Sequence, residues 1–350
     1  MSRFVVGSLL VGLSILSGGC EKTSDIDAVK YITDKKNISN DQKSSTKSLV
    51  IDWPDNIEPT YVNMELKKVS EHTYFVEGPP GTGTENEGFM SNAGVVVTPE
   101  GVVVFDALGT PSLSFLLSRL IKTVTDKPIV KVVVSHYHAD HIYGLQVLKN
   151  MGAEIIAPQG AKDYLSSDAA QARLNERRES LFPWVNENTF IVEPDVYIAK
   201  DSNFSLGGID FEIILLGSTH SEGDMMLRVV PDQVLFSGDL VFEGRIPLVA
   251  GSNPDEWLKR LNHLNTDSIK YVVPGHGEMS SNPKLALEFT RDYLKFLHDG
   301  MANAVENLMS FEEAYSSLDW SAYDNFPASQ ANRLNAYYVF LRQEAVSMQQ

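Results

Sequence analysis

The sequence predicts an α/β protein built from two β-sheets packed together, with helices on their outer sides. Three observations carry this expectation. Short β-branched runs such as Gly94–Thr98 and Val102–Asp106, joined by the turn Pro99-Glu100-Gly101, have the pattern of a hairpin. Stretches with apolar residues at helical spacing, such as Pro111 to Val124, separate those runs. The strand-rich pattern then returns, so the chain carries two similar β-rich halves. Of 350 residues, 43% are hydrophobic, too many for a disordered chain, and 24 Gly with 16 Pro are too few for a fibre. With 46 acidic against 29 basic side chains, the formal charge of −17 argues against nucleic acid or an anionic membrane surface as partner.

The chain opens with Arg3 and the apolar stretch Phe4 to Leu16, a length that suits a signal sequence and is short for a membrane span. Ser17-Gly18-Gly19-Cys20 resembles a bacterial lipobox, with Ser17 where such motifs usually carry Leu or Val. Residues 1–19 are therefore expected to be a lipoprotein-type signal peptide. Cys20 would hold the lipid that is the chain's sole link to a membrane, making it an exported periplasmic or cell-surface protein. As the single cysteine, Cys20 also excludes an intrachain disulfide and any cysteine-rich metal site. Residues 20–57 are dominated by Lys, Asp, Asn, Ser and Thr and read as a flexible polar tether, with the folded part beginning near Tyr61.

A domain over residues 58–282 follows. Leu66–Val69 and Thr73–Glu77 read as a first hairpin, and Ile129–Val134 as a buried strand. Gly144 to Asn150 is expected to be helical, Glu154–Ala157 a strand, and residues 161–183 a polar, Arg-rich helical insert. Further strands are expected at Phe190–Val192, Phe204–Leu206, Phe211–Leu216, Met226–Val230, Gln233–Ser237 and Tyr271–Val273, with a helix at Pro254–Leu264. From Pro283 to the end, residues 283–350 form a helical extension with Tyr293, Phe296 and Leu297 on one packing stripe.

Chemistry gathers at strand ends. His136 and His138 are two residues apart, so on extended chain both side chains point to one side and can grip a single ion. Asp140 and His141 follow on the turn, where they can serve a second ion. His220 lies in the loop Gly217 to Asp224, Asp239 in Phe236-Ser237-Gly238-Asp239, and His276 in Pro274-Gly275-His276-Gly277. Each is expected just past a strand, along one edge of the sheets. Imidazole and carboxylate without thiolate suit Zn2+, with iron or manganese as competitors.

These residues resemble the H-x-H-x-D-H signature and later ligands of the metallo-β-lactamase superfamily, from about Tyr61 to Gly277. The resemblance implies a four-layer αββα sandwich, here with the C-terminal helical extension, and two divalent ions at one edge. His136, His138 and His220 would hold the first ion, Asp140, His141 and His276 the second, and Asp239 would bridge them. A hydroxide between the ions would attack a small ester, thioester, lactone or related substrate, with Asp140 steering the nucleophile and carrying its proton. Asp239 sets the chain apart from true β-lactamases, which have Cys or Ser where glyoxalase II-like members carry the bridging aspartate. Thr125-Asp126-Lys127-Pro128, His141-Ile142-Tyr143-Gly144 and the helical tail look similar to periplasmic zinc metallohydrolases associated with quinoprotein or sulfur-oxidation systems. By the same resemblance Asp106 supports the metal loop through hydrogen bonds, and Asp224 is expected to do likewise.

Around that set, Tyr143 is expected to reach the mouth of the site, and Arg245 is a candidate for binding an anionic group. The Gly81 and Gly83 loop is either a cover for the site or a plain turn. Arg173, Arg177 and Arg178 read as a solvated helix face. His72, His263 and His298 read as surface or packing residues. The competing functions are a mononuclear-iron persulfide dioxygenase held by His136, His220 and Asp239, a β-lactam hydrolase, and a metal-binding lipoprotein without catalysis.

Overall fold

The structure is a computed structural model that describes residues 51–348. The expected signal peptide, Cys20 and the tether up to residue 50 lie outside the described residues. The end of the expected tether does not behave as one. Ile57 is buried with Phe115 and Val147, while Ile51 and Trp53 pack against the same cluster. The Trp53 ring sits 5.2 Å from that of Phe115. Folded chain thus begins by residue 51, because burying these apolar side chains outweighs the entropy of a free linker.

The first half runs β1 (Lys67–Lys68), β2 (Thr73–Val76), β3 (Ala93–Thr98), β4 (Gly101–Phe105), α1 (Pro111–Ile121), β5 (Ile129–Val133), α2 (Ala139–Ile142), α3 (Leu145–Asn150), β6 (Glu154–Pro158), α4 (Ala161–Leu165), α5 (Asp168–Ser180) and β7 (Val196–Ile198). Its strands form one sheet in sequence order, antiparallel up to β4 and parallel from β4 to β7. The strand expected at Phe190–Val192 is not there. The Phe190 amide donates to the Gln146 side chain, and pairing with β6 starts only at Val196. Apolar Ile191 and Val192 pack on the core, so their composition mimics a strand that the backbone does not make.

The second half runs β8 (Ser202–Leu206), β9 (Ile209–Gly217), β10 (Asp224–Val229), β11 (Val234–Phe242), α6 (Pro254–His263), β12 (Tyr271–His276), α7 (Pro283–Glu306), α8 (Phe311–Ser317) and α9 (Asn332–Ser347). Its sheet has the order β12-β11-β10-β9-β8, with β11 and β12 parallel. The two sheets meet through Phe75, Val103 and Val133 from the first and Phe211, Met225 and Leu227 from the second. Each such buried side chain contributes roughly 1.5–3 kcal/mol. Helices α1 and α3 cover the outer face of the first sheet, and α6, α7 and α9 that of the second, giving four αββα layers. Thr110, Asn253 and Asn282 cap α1, α6 and α7 with their side-chain oxygens, and each is followed by a proline whose fixed φ starts the helix.

The C-terminal helices also hold a loop. Asn335 accepts from the amide of Val249 and donates to the Pro247 carbonyl, and the Tyr338 hydroxyl donates to the Ser252 carbonyl. That fixes the segment after β11, which borders the site described next. Among the described residues no helix is long and apolar enough to cross a membrane.

Candidate metal centre

His136 leaves the end of β5, and its aim is set by a chain of hydrogen bonds. Asp106 closes β4 with a left-handed backbone (φ 63) and accepts from the Ser135 amide and hydroxyl at 2.7 and 2.8 Å. Having donated its proton to Asp106, the Ser135 hydroxyl accepts from His136 Nδ1–H at 2.8 Å, which turns the Nε2 lone pair inward. Asp106 also accepts from His141 Nδ1–H at 2.8 Å, so the His141 Nε2 faces the same space. The support role expected of Asp106 is visible in these contacts.

The His220 loop has its own clamp. Asp224 accepts from the amides and hydroxyls of both Thr219 and Ser221, pinning the residues on either side of His220. Burial pushes Asp224 up to about 6, although those donors pull the other way. Asp239 and His276 depart from expectation. Both lie inside strands, β11 and β12, rather than past them. The parallel register shifts on either side of Gly238, whose φ is 51, and this irregularity turns Asp239 inward. Opposite it, a Cβ at Gly275 would collide with Asp239 Oδ1, so only glycine fits there. His276 donates Nδ1–H to the Met90 carbonyl at 2.7 Å, leaving Nε2 for the site.

The seven residues singled out by sequence therefore converge. His136, His138, His220 and Asp239 bring one ligand atom each to within 4.8 Å of one another, and Asp140, His141 and His276 form a second set. Asp239 stands between them. Its Oδ2 lies 3.3 Å from the Nε2 atoms of both His220 and His276, and its Oδ1 3.3 Å from His141 Nε2. Asp140 Oδ2 lies 3.3 Å from His276 Nε2 and 3.5 Å from His141 Nε2. Among the described residues, His136 Nε2, His141 Nε2 and Asp239 Oδ1 are buried without a hydrogen-bond partner. Leaving such atoms unsatisfied costs roughly 1–3 kcal/mol each. Convergent lone pairs on imidazole and carboxylate, with no thiolate, fit divalent cations such as zinc.

Charge divides the two sets. Burial pushes His136 and His138 below the usual imidazole range and His220 down to about 3. For His141 burial acts the same way, but Asp239, Asp140 and Asp106 outweigh it and hold the ring well above that range. His276 is raised against burial chiefly by Asp239. Burial also opposes ionisation of Asp140 and Asp239, yet the surrounding histidines, His141 first for Asp140 and His276 first for Asp239, hold both well below the usual carboxylate range.

Other side chains fall differently from expectation. Tyr143 is only 2% exposed and packs in the core of the first sheet, away from the mouth. Tyr137, six residues earlier, lines the cleft instead, stacked at 4.0 Å on Tyr164. The cleft above the histidines measures about 320 Å³ and is also bordered by Met90, Phe242, Arg173, Arg177 and Arg245. The arginine run of α5 is thus not a plain solvated face. Arg173 and Arg177 border the cleft, and Arg178 donates to the Asn186 and Thr189 carbonyls. Gly83 borders a small recess beside Asp140, while Gly81 has open space around it. Of the remaining histidines, His72 pairs with Asp232, and His263 and His298 make local contacts outside the site. The one signal for Tyr137 was its place between two ligand histidines. Nothing local points to Tyr164, Arg173 or Arg177.

A family model, the metallo-β-lactamase superfamily, matches residues 86–276, more than half of the chain. The type 2 metallo-β-lactamase of Bacillus cereus is 26% identical over 214 residues, covering 60% of this chain and 75% of that protein. A linear primary-alkylsulfatase of Pseudomonas sp. is 22% identical over 242 residues, 59% of this chain and 45% of that one. Among solved structures, a metallo-β-lactamase from Pontibacter korlensis has a TM-score of 0.53 at 22% identity, over 66% of this chain and 99% of the other. A stereoselective inverting sec-alkylsulfatase from Pseudomonas sp. has a TM-score of 0.62 at 18% identity, over 79% and 50%. The chain belongs to the metallo-β-lactamase superfamily and is a metallohydrolase of that fold.

Proposed function

We propose that this superfamily member is a dinuclear hydrolase that cleaves a small ester, thioester or lactone, with Zn2+ as its resident ion and iron or manganese as competitors. The observation that carries the reading is Asp239, whose two oxygens face histidines of both donor sets. One carboxylate so placed can serve a cation on each side, with His136, His138 and His220 holding one and Asp140, His141 and His276 the other. Bound there, such ions would supply a water pKa lowered toward about 7 and polarisation of the bond to be cleaved. The chain's own residues supply positioning and proton handling. Asp140 is the more open of the two central carboxylates, 21% exposed against 5% for Asp239, and borders the cleft. It is the group able to take a proton from the nucleophile and pass it to the leaving group. Ser135, Asp106 and the Met90 carbonyl fix the rings of His136, His141 and His276 through their Nδ1 atoms, so each Nε2 is oriented before substrate arrives. Phe242, stacked on His276, and Trp257, edge-on to His220, keep water from behind both rings.

The test is metal content by elemental analysis together with turnover on a panel of esters, thioesters, lactones and β-lactams. Two ions per chain and hydrolysis of one of the first three classes are expected. A single bound iron would instead support the persulfide dioxygenase reading. β-Lactam hydrolysis is the second reading, favoured by the metallo-β-lactamases among the relatives, and the same panel decides it. Export and lipid anchoring through Cys20 rest on the sequence of residues 1–20.

A further inference from the structure

Three arginines line the cleft beside Asp140 and Asp239, in a chain whose formal charge is −17. Arg173 and Arg177 are four residues apart on α5 and so share one face of the helix. Arg173 is paired with Glu176 at 2.6 Å, whereas the nearest carboxylate oxygen to Arg177 is 3.9 Å away on that same Glu176. Across the cleft stands Arg245, only 9% exposed. Its Nη1 lies 2.9 Å from His276 Nδ1, but that nitrogen already donates to the Met90 carbonyl and has no lone pair to give. Arg245 Nε has no hydrogen-bond partner among the described residues. A buried guanidinium with unsatisfied N–H groups needs an acceptor, and a planar fork fits an oxyanion. Between these walls, the stacked rings of Tyr137 and Tyr164 offer a flat apolar surface.

Resting on the hydrolase reading above, we propose that the cleft selects substrates carrying a negative charge near the scissile group, an ester whose aryl or alkyl part bears a carboxylate or comparable oxyanion. Arg177 and Arg173 read that charge from one wall and Arg245 from the other, with the Tyr137–Tyr164 pair against the uncharged part. The α4–α5 insert is then the part of the fold that sets specificity.

The experiment uses the metal-loaded full chain and an Arg173→Gln, Arg177→Gln double variant; Arg173 is exposed and Arg177 half-buried at the cleft, and neither belongs to the apolar core. Calorimetry compares 4-hydroxybenzoate with neutral 4-hydroxybenzamide, and kinetics compare 4-carboxyphenyl acetate with phenyl acetate. The wild-type chain should bind the anion at least about tenfold more tightly than the amide, and its kcat/KM ratio should favour the anionic ester similarly. In the double variant both ratios should fall, Arg245 supplying what remains of the preference. Equal binding of the two probes, or binding of neither, overturns the proposal. A preference that persists undiminished in the double variant overturns it too, since the carboxylate would then be held without α5. Anion preference in binding with no turnover of either ester keeps the cationic cleft and removes ester hydrolysis instead.

Discussion

His136, His138 and His220 on one side of Asp239, and His141 and His276 on the other, are buried except for half-buried His138, yet they are driven in opposite directions. Burial pushes the first three below the usual imidazole range, while His141 and His276 are raised above it against burial by Asp239, Asp140 and, for His141, Asp106. Depth alone therefore does not set the charge of a ligand. What decides is the balance, since burial and a nearby anion act on an imidazole with opposite signs: Asp239 faces both sets, but burial outweighs it at His136, His138 and His220, while several carboxylates together outweigh burial at His141. A cation therefore competes with protons less at the first set than at the second.

The sharpest way to break this division is to remove the residue both sides share. Asp239→Ala should leave the sheets folded, because the core does not use it, while metal content drops from about two ions toward one or none. Turnover should fall at least about a hundredfold. Elemental analysis beside circular dichroism and kinetics checks this, and a variant holding two ions at full activity would show that Asp239 is no bridge. Asp106→Ala comes next. It frees the His141 ring and the Ser135 hydroxyl that orients His136, so metal affinity should weaken roughly 10–100-fold without direct loss of a ligand. Unchanged affinity in a chelator competition would make Asp106 only a backbone support.

A milder perturbation separates the sets by pH. Groups with raised pKa hold protons to higher pH, so cations compete against them progressively as pH falls through those values. Dialysis at pH 8 and then at pH 6 should strip the His141 and His276 side first and leave the His136, His138 and His220 side occupied. Simultaneous loss of both ions would contradict the division. Tyr143→Phe should be smaller still, with kinetics unaltered and at most a modest drop in stability, because the ring is packed in the core. A changed KM would return Tyr143 to the substrate's surroundings. Cys20→Ala should leave catalysis untouched and release the protein from membranes; retained membrane association with no change in mass would remove the lipid anchor.

Much of the centre was readable before any coordinates. The spacing of His136, His138, Asp140 and His141 is local, and a strand running into a tight turn fixes where four side chains point. Asp239 and His276 were readable as residue types beside glycine, but not as strand residues, because the register shift around Gly238 depends on how β11 pairs with β12. The run at Phe190–Val192 misled for a related reason. Apolar composition reports burial, and burial is not the same as a place in the ladder. Tyr143 misled because two steps from a ligand histidine leads into the core along the one-turn helix α2, while Tyr137 is turned to the cleft.

The sequence by itself determined the donor atoms, the two β-rich halves and the helices capped by Thr110, Asn253 and Asn282. Each depends on residues close in the chain, whose directions follow from strand and helix periodicity. Tertiary structure alone decided the docking of Ile51, Trp53 and Ile57, the opposite pKa shifts of the two sets of imidazoles and the meeting of Arg173, Arg177 and Arg245 around one cleft. These depend on groups brought together from distant segments. Both the dielectric around an imidazole and the charge across a cleft are properties of that assembled surface, and no spacing along the chain encodes them.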